Sequence, residues 1–181
     1  GSILAAAGNI DPEALARQLE SLTSSWTGSA PEVTWDTSTT SRGYHHEPDQ
    51  TNQVHIALAH DAPAESDPDC WLERLTTAIL SGGMSCRLFT EVREKRSLCY
   101  SVYATYAGSQ KYGRATAYVG TTPERAQESL DVLTEQLEHI NTPEGKVTRS
   151  EFDRAVVGLK SRLVMSGEST SARAGALARD Y

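Results

Sequence analysis

Residues 100–106, YSVYATY, and residues 114–119, RATAYV, are two arms dominated by aromatic and β-branched side chains, and a turn flanked by Gly108 and Gly113 joins them. Such side chains fit a pleated, half-buried surface, and the short connection makes each arm the natural partner of the other, so an antiparallel hairpin is expected. The hairpin then needs further strands beside it and a cover for one face. Val54, Ile56 and Leu58 alternate with His55, Ala57 and Ala59, which predicts a strand over 53–60 with one apolar face. A short apolar run, Ile3 to Ala7, closed by Gly8-Asn9, reads as a buried strand.

Helical patterns supply the cover. Asp11 is an N-cap with Pro12 behind it, followed by Leu15, Leu19 and Leu22 on one face. Asp67-Pro68 repeats the device ahead of Trp71, Leu72, Leu75, Ile79 and Leu80, and Gly82-Gly83 ends that helix. Leu88, Phe89 and Val92 share one side of a helix expected from about 85 to 96. Thr121 to Glu124 opens a helix carrying Leu130, Leu133, Leu137 and Ile140. Thr148 to Glu151 is a capping box ahead of Phe152, Val156, Leu159 and Leu163, and a last helix begins near Ser169. This order implies an α+β fold, a mostly antiparallel sheet with helices packed on one side. Residues 1–26 form an opening strand-helix segment, compatible with the end of a preceding domain. Residues 27–52, rich in Ser, Thr, Pro, Gly and Asp, form a long loop or linker, and residues 53–181 form the main domain. Both termini read as cuts in a longer protein, the main domain being truncated at its C-terminus, and Gly1-Ser2 is either an expression scar or native sequence.

Chemistry is conspicuous mainly for what the motifs exclude. With 17 Lys and Arg against 24 Asp and Glu, the chain carries a formal charge of −7 over 181 residues and has no basic stripe, which argues against nucleic acid as a partner. No run reaches the roughly 18 to 20 apolar residues of a membrane span, so a soluble piece is expected. The sequence does not fix its compartment, for which the bacterial cytoplasm or periplasm is a guess. Cys70, Cys86 and Cys99 are odd in number, lack Cys-x-x-Cys spacing and lie in apolar or amphipathic stretches, which predicts reduced and mostly buried thiols. The five histidines, His45, His46, His55, His60 and His139, form neither His-Glu-x-x-His nor His-x-x-Glu-His. No metal ligands and no catalytic residues are therefore expected in this chain itself. There is no Gly-x-Ser-x-Gly elbow, and residues 81–85 are too short for a phosphate loop.

The run over residues 81–103, SGGMSCRLFTEVREKRSLCYSVY, resembles the signature S-R-L-F-x-E-V-R-E-K-x-x-L-x-Y-S-V of the pitrilysin, insulinase and mitochondrial-processing-peptidase family of inverse-zincin metallopeptidases, in the domain that lacks the zinc motif. Residues 4–13, LAAAGNIDPE, are similar to the family's strand-then-helix segment at the start of this portion, and residues 120–125, GTTPER, to its turn into a long helix. The resemblance covers about residues 3 to 165 in the family's order. It implies half of a clamshell: a substrate-binding, non-zinc portion of a zinc metalloendopeptidase, inactive alone. Its partners are then peptide or unfolded protein and a zinc-bearing domain of the same chain or a homologous subunit. It further implies that Arg93 and Tyr100, seven positions apart, bind substrate near the scissile bond.

From the residues alone, Arg93 lies at the border of the apolar stripe, four residues after Phe89, and Tyr100 opens a strand, so both can face one rim. The plainer reading has Arg93 paired with a neighbouring Glu and Tyr100 packed on the sheet; the resemblance favours the first. A non-catalytic scaffold or partner subunit of the same fold is the alternative function, and a parent sequence with or without His-x-x-Glu-His separates the two.

Overall fold

The structure, a computed structural model, describes residues 2–29 and 42–180. Positions 30–41 of the long connection lie outside the described residues. The chain divides into two compact units, Pro48–Ser161 and a smaller one made of Gly1–Glu47 with Arg162–Tyr181.

The larger unit is built on a three-stranded antiparallel sheet in the order β1-β3-β2, with β1 at Val54–Ala62, β2 at Ser101–Gly108 and β3 at Gly113–Thr121. The expected hairpin is β2 with β3, in register from Ser101 opposite Gly120 to Gly108 opposite Gly113. β3 is the middle strand because β1 pairs along its other edge, from Val54 opposite Thr121 to Ala62 opposite Gly113. Side chains alternate strictly. Ile56, Leu58, Val102, Ala104, Ala117 and Val119 face a core completed by Leu80, Leu88, Val92, Leu98, Val132 and Leu133. Leu88, Val92, Val119 and Leu133 are wholly excluded from water, each contributing roughly 1.5–3 kcal/mol through apolar burial. The opposite face carries His55, Ala57 and Ala59 of β1, Ser101, Tyr103, Thr105 and Ala107 of β2, and Arg114, Thr116 and Tyr118 of β3, exposed or half-buried.

Three helical segments lie on the core side: α2 at Cys70–Ser81, a π-helical turn at Phe89–Glu94, and α3 at Ala126–His139. The Asp67-Pro68 device works one step earlier than a simple cap, since the Asp67 carboxylate accepts the Asp69 N–H at 2.9 Å and its carbonyl accepts from Cys70. The 18-residue helix α4, Arg149–Ser166, opens on the expected capping box: the Glu151 N–H donates to Thr148 Oγ1 at 3.3 Å, and the Thr148 N–H donates to Glu151 Oε2 at 2.8 Å.

In the smaller unit, α1 spans Pro12–Thr23, and the Asp11 carboxylate accepts from the N–H groups of Glu13 and Ala14. α5 spans Thr170–Asp180, with the Ser169 hydroxyl accepting from Ala172. The strand expected over Ile3 to Ala7 does not form. These residues are irregular, with Ile3 and Leu4 more than half exposed. An apolar run becomes a strand only beside another strand edge, and none of the described strands pairs with it.

One ion pair ties the helical layer together. Arg87 clasps Glu151 with two bonds of 2.7 and 2.9 Å and gives a third, of 2.7 Å, to the Gly145 carbonyl. The Arg87 hydrogen bonds, with support from Thr148, hold the Glu151 carboxyl down at about 2, against a usual 4.5. As pH falls the unfolded chain binds the proton first, so this contribution is whole above about pH 4.5 and disappears toward pH 2; it amounts to about 3 kcal/mol. Urea unfolding of the wild type and Glu151→Gln should therefore show a stability gap that is wide at about pH 5 and has narrowed markedly by about pH 2.5.

Candidate functional site

The connection that carries Arg93 and Tyr100 starts where α2 ends, with the Gly82 N–H bonded to the Ala78 carbonyl at 2.7 Å. The helix expected over 85–96 does form, but it widens. Lys95 donates to the Thr90 carbonyl five residues back, at 2.9 Å, and Leu98 donates to Val92 six residues back, at 3.1 Å. Wide turns of this kind place one extra residue per turn and cluster at functional sites. Three apolar anchors hold the inner side, Leu88, Val92 and Leu98, each at most 3 % exposed. Between Val92 and Leu98 the chain must reverse, and Ser97 does so with a φ of 51°, a left-handed conformation costing a non-glycine residue about 1 kcal/mol.

Hydrogen bonds meet that cost and fix the turn. The Thr121 hydroxyl donates to the Leu98 carbonyl at 2.5 Å, and the buried Ser129 hydroxyl lies 3.3 Å from the same carbonyl and 3.1 Å from Thr121 Oγ1. The Arg125 guanidinium donates to the Ser97 carbonyl. The Tyr100 N–H then bonds the Gly120 carbonyl at 2.9 Å, one step before the β2 ladder begins. Thr121, Ser129 and Arg125 were invisible as site residues in the sequence, because their role is to meet a carbonyl more than 20 positions away. Only the small polar side chains on otherwise apolar faces hinted at it.

Arg93 and Tyr100 occupy the two ends of this pinned turn, and both are exposed, Tyr100 at 62 %. The cations around Arg93 are all spoken for. Lys95 and Arg96 both hold Glu91, at 2.6 and 3.2 Å, which lowers the Glu91 pKa chiefly through the Lys95 hydrogen bond, while Arg87 holds Glu151. Arg93 forms no ion pair among the described residues; its guanidinium rests 5.1 Å from the Phe89 ring centroid. The Tyr100 hydroxyl has no hydrogen-bond partner among them. Burial pushes the Cys99 thiol up, and the charge of Arg93 pulls part of the way back, so Arg93 acts electrically on the residue next to Tyr100.

Residues 2–159 match the family described as the peptidase M16 inactive domain. The chain belongs to that family. This inactive domain is 37 % identical over 123 residues to an uncharacterized zinc protease of Streptomyces coelicolor, a match covering 68 % of the chain and 26 % of the relative. Among solved structures, a peptidase M16 inactive domain from Pseudomonas fluorescens matches with a TM-score of 0.56 and 30 % identity over 72 % of this chain and 30 % of that one. A protease from Helicobacter pylori matches with a TM-score of 0.66 over 95 % of this chain and 43 % of that one; at 19 % identity it bears on the fold alone. The inactive domain thus spans about a quarter of the length of the curated relative it matches.

Among the described residues no three of His, Cys, Asp and Glu converge where they could hold a metal ion, so these residues do not fit the zinc that the relative's name implies. The thiols of Cys70, Cys86 and Cys99 are free, Cys70 buried and the other two half-buried. No helix among the described residues is long and apolar enough to cross a membrane.

The influence of Arg93 on Cys99 yields a check of the geometry that needs no activity. Removing the guanidinium in Arg93→Ala raises the thiol pKa further and lowers the thiolate fraction at any pH below it. Alkylation of Cys99 by iodoacetamide in the folded protein, followed by mass spectrometry across pH 7 to 9, should be slower in the variant, with Cys86 unaffected.

Proposed function

We propose that this inactive domain is the substrate-binding, non-zinc portion of a zinc-dependent metalloendopeptidase, in which Arg93 and Tyr100 bind the peptide group at the scissile bond. One observation carries the reading: in a neighbourhood where Arg87, Lys95 and Arg96 are each tied to a carboxylate, Arg93 is exposed and in no ion pair among the described residues, with a phenol that has no hydrogen-bond partner among them at the other end of the same turn. A scaffold has no need to keep both groups unsatisfied.

The chemistry follows from the two side chains. When a nucleophile adds to a peptide carbonyl, the oxygen gains charge, and donors already aimed at it stabilise the transition state more than the ground state. Arg93 is charged at any working pH and brings several N–H donors, while Tyr100 brings one O–H. Because neither is committed to a hydrogen bond or ion pair among the described residues, no such bond is given up when the oxyanion forms. The hydrogen bonds that pin Ser97 and Leu98 fix the backbone between the two donors, and donors carried on a fixed backbone need less reorganisation as the reaction proceeds. In this reading the substrate is an extended peptide or unfolded protein. The zinc is held by another domain of the same protein or by a homologous partner subunit, in the bacterial cytoplasm or periplasm, and none of the work assigned to this chain's residues involves binding it.

In the intact protein, Arg93→Ala and Tyr100→Phe should each lower turnover of a quenched fluorescent peptide by roughly tenfold to a thousandfold, the range lost with a single oxyanion donor, while zinc content and thermal unfolding stay as in the wild type. The chain by itself, supplied with zinc, should hydrolyse nothing. Wild-type kinetics in both variants of an active protein would assign it instead to the non-catalytic scaffold or partner role.

A further inference from the structure

The sheet face turned away from the helices is not uniform. At the end nearest Tyr100 it carries three flat rings in contact: Tyr103 stacks on Tyr118 with centroids 4.7 Å apart and planes 24° apart, and His55 lies 5.9 Å from Tyr118 on its other side, at 22°. Register explains the contact, since Tyr103 is directly opposite Tyr118 across the β2–β3 ladder, while His55 is opposite Gly120 across the β1–β3 ladder. Gly120 makes room for it. A Cβ there would sit 2.8 Å from the Tyr118 hydroxyl, so glycine leaves room for the Tyr118 hydroxyl to lie over position 120 and share a 2.6 Å hydrogen bond with His55 Nδ1. Tyr118 is thereby locked, and Tyr103, 43 % exposed, presents its ring to solvent with no hydrogen-bond partner for its hydroxyl among the described residues. The far end of the face is closed by charge, where Asp61 approaches Arg114 at 3.7 Å.

We infer that the Tyr103–Tyr118–His55 stack is a binding subsite for an aromatic side chain of the peptide substrate, about three residues from the scissile bond; the inference rests on the role proposed for Arg93 and Tyr100. The spacing selects the occupant. A strand rises about 3.3 Å per residue, so Tyr103 lies about 10 Å along β2 from Tyr100, the length of three residues of extended peptide. Tyr100 and Tyr103, three positions apart, take opposite sides of the pleat, but β2 is an edge of the sheet, so a peptide held at Tyr100 and running beside β2 presents alternate side chains to both faces, and the one abreast of Tyr103 lies over the stack. Rigid rings take another ring in offset or edge-on contact with centroids about 4.5–7 Å apart, and the pre-formed stack loses little freedom in doing so. The neighbours on the same face, Ala57, Ser101 and Thr105, are all smaller than the rings they flank.

The test is a phenylalanine scan. Otherwise alanine-rich quenched peptides carry one Phe at each of four positions on either side of the scissile bond, and both kcat/KM and equilibrium binding to the intact protein are measured. The wild type should prefer Phe over Ala at the third position on one side by about three- to tenfold, and Tyr103→Ala should bring that ratio to about one. Circular dichroism and thermal unfolding confirm that the variant is folded. Tyr118→Phe keeps the ring, releases the His55 bond and should weaken the ratio without abolishing it. A Phe preference unchanged in folded Tyr103→Ala, an equal response to Arg at that position, or a change in oligomeric state in place of peptide selection would each overturn the subsite. The reading beneath it fails differently, through wild-type turnover in Arg93→Ala and Tyr100→Phe. Should the protein prove to hydrolyse nothing, the binding arm decides alone: Phe-selective binding lost in Tyr103→Ala supports the subsite, and binding indifferent to Phe or to the substitution overturns it.

Discussion

The buried bond from the Thr121 hydroxyl to the Leu98 carbonyl is the joint on which the rest of the larger unit depends. Both residues are almost wholly excluded from water, at 0 % and 3 % exposure, so an unmet carbonyl there would cost about 1–3 kcal/mol. Thr121 ends the middle strand β3, and Leu98 ends the chain reversal that follows the π turn, so one bond of 2.5 Å couples the helical layer to the sheet. With Ser129 beneath it and Arg125 on the adjoining carbonyl, the path from Arg93 to Tyr100 is held at two successive carbonyls.

Charge is distributed around that joint in two ways. The Arg87–Glu151 pair is enclosed, at 13 % and 18 % side-chain exposure, bidentate, and fitted with further donors, the conditions under which an ion pair offsets its own desolvation. Pairs such as Arg149 with Asp153 lie in solvent and contribute at most about 1 kcal/mol. Arg93 belongs to neither kind. The acid that a plain reading of the local sequence would assign to it, Glu91, is taken by Lys95 and Arg96, whose longer reach around the wide turn brings them to the same carboxylate.

Legibility in the sequence followed the range of the interaction. Asp11, Thr148 and Glu151 act within three residues of themselves, and each caps its helix as their spacing announces. The hairpin was equally clear, because a turn of four residues brings its own partner. The widened turn at Phe89–Glu94 was not, since its apolar positions suit an ordinary α-helix; the extra residue is imposed by anchoring Leu88, Val92 and Leu98 in one core while Ser97 turns the chain. Nor was the failure of Ile3 to Ala7 to form a strand, which turns on the absence of a described partner edge and not on the run itself.

What the sequence determined by itself was therefore local and periodic: which segments of the larger unit coil and which extend, where its capped helices start, the α+β class, and through residues 81–103 the family. What only the tertiary structure decided was who meets whom. That β3 lies between β1 and β2, that Arg93 and Tyr100 stand at the ends of a pinned turn with no ion pair or side-chain hydrogen bond among the described residues, and that Tyr103, Tyr118 and His55 stack on one face all depend on strand register and long-range hydrogen bonds. Side-chain periodicity states which face a residue takes, but its partner on that face is set by closing loops of many residues, and that closure is decided by the packing of the whole core.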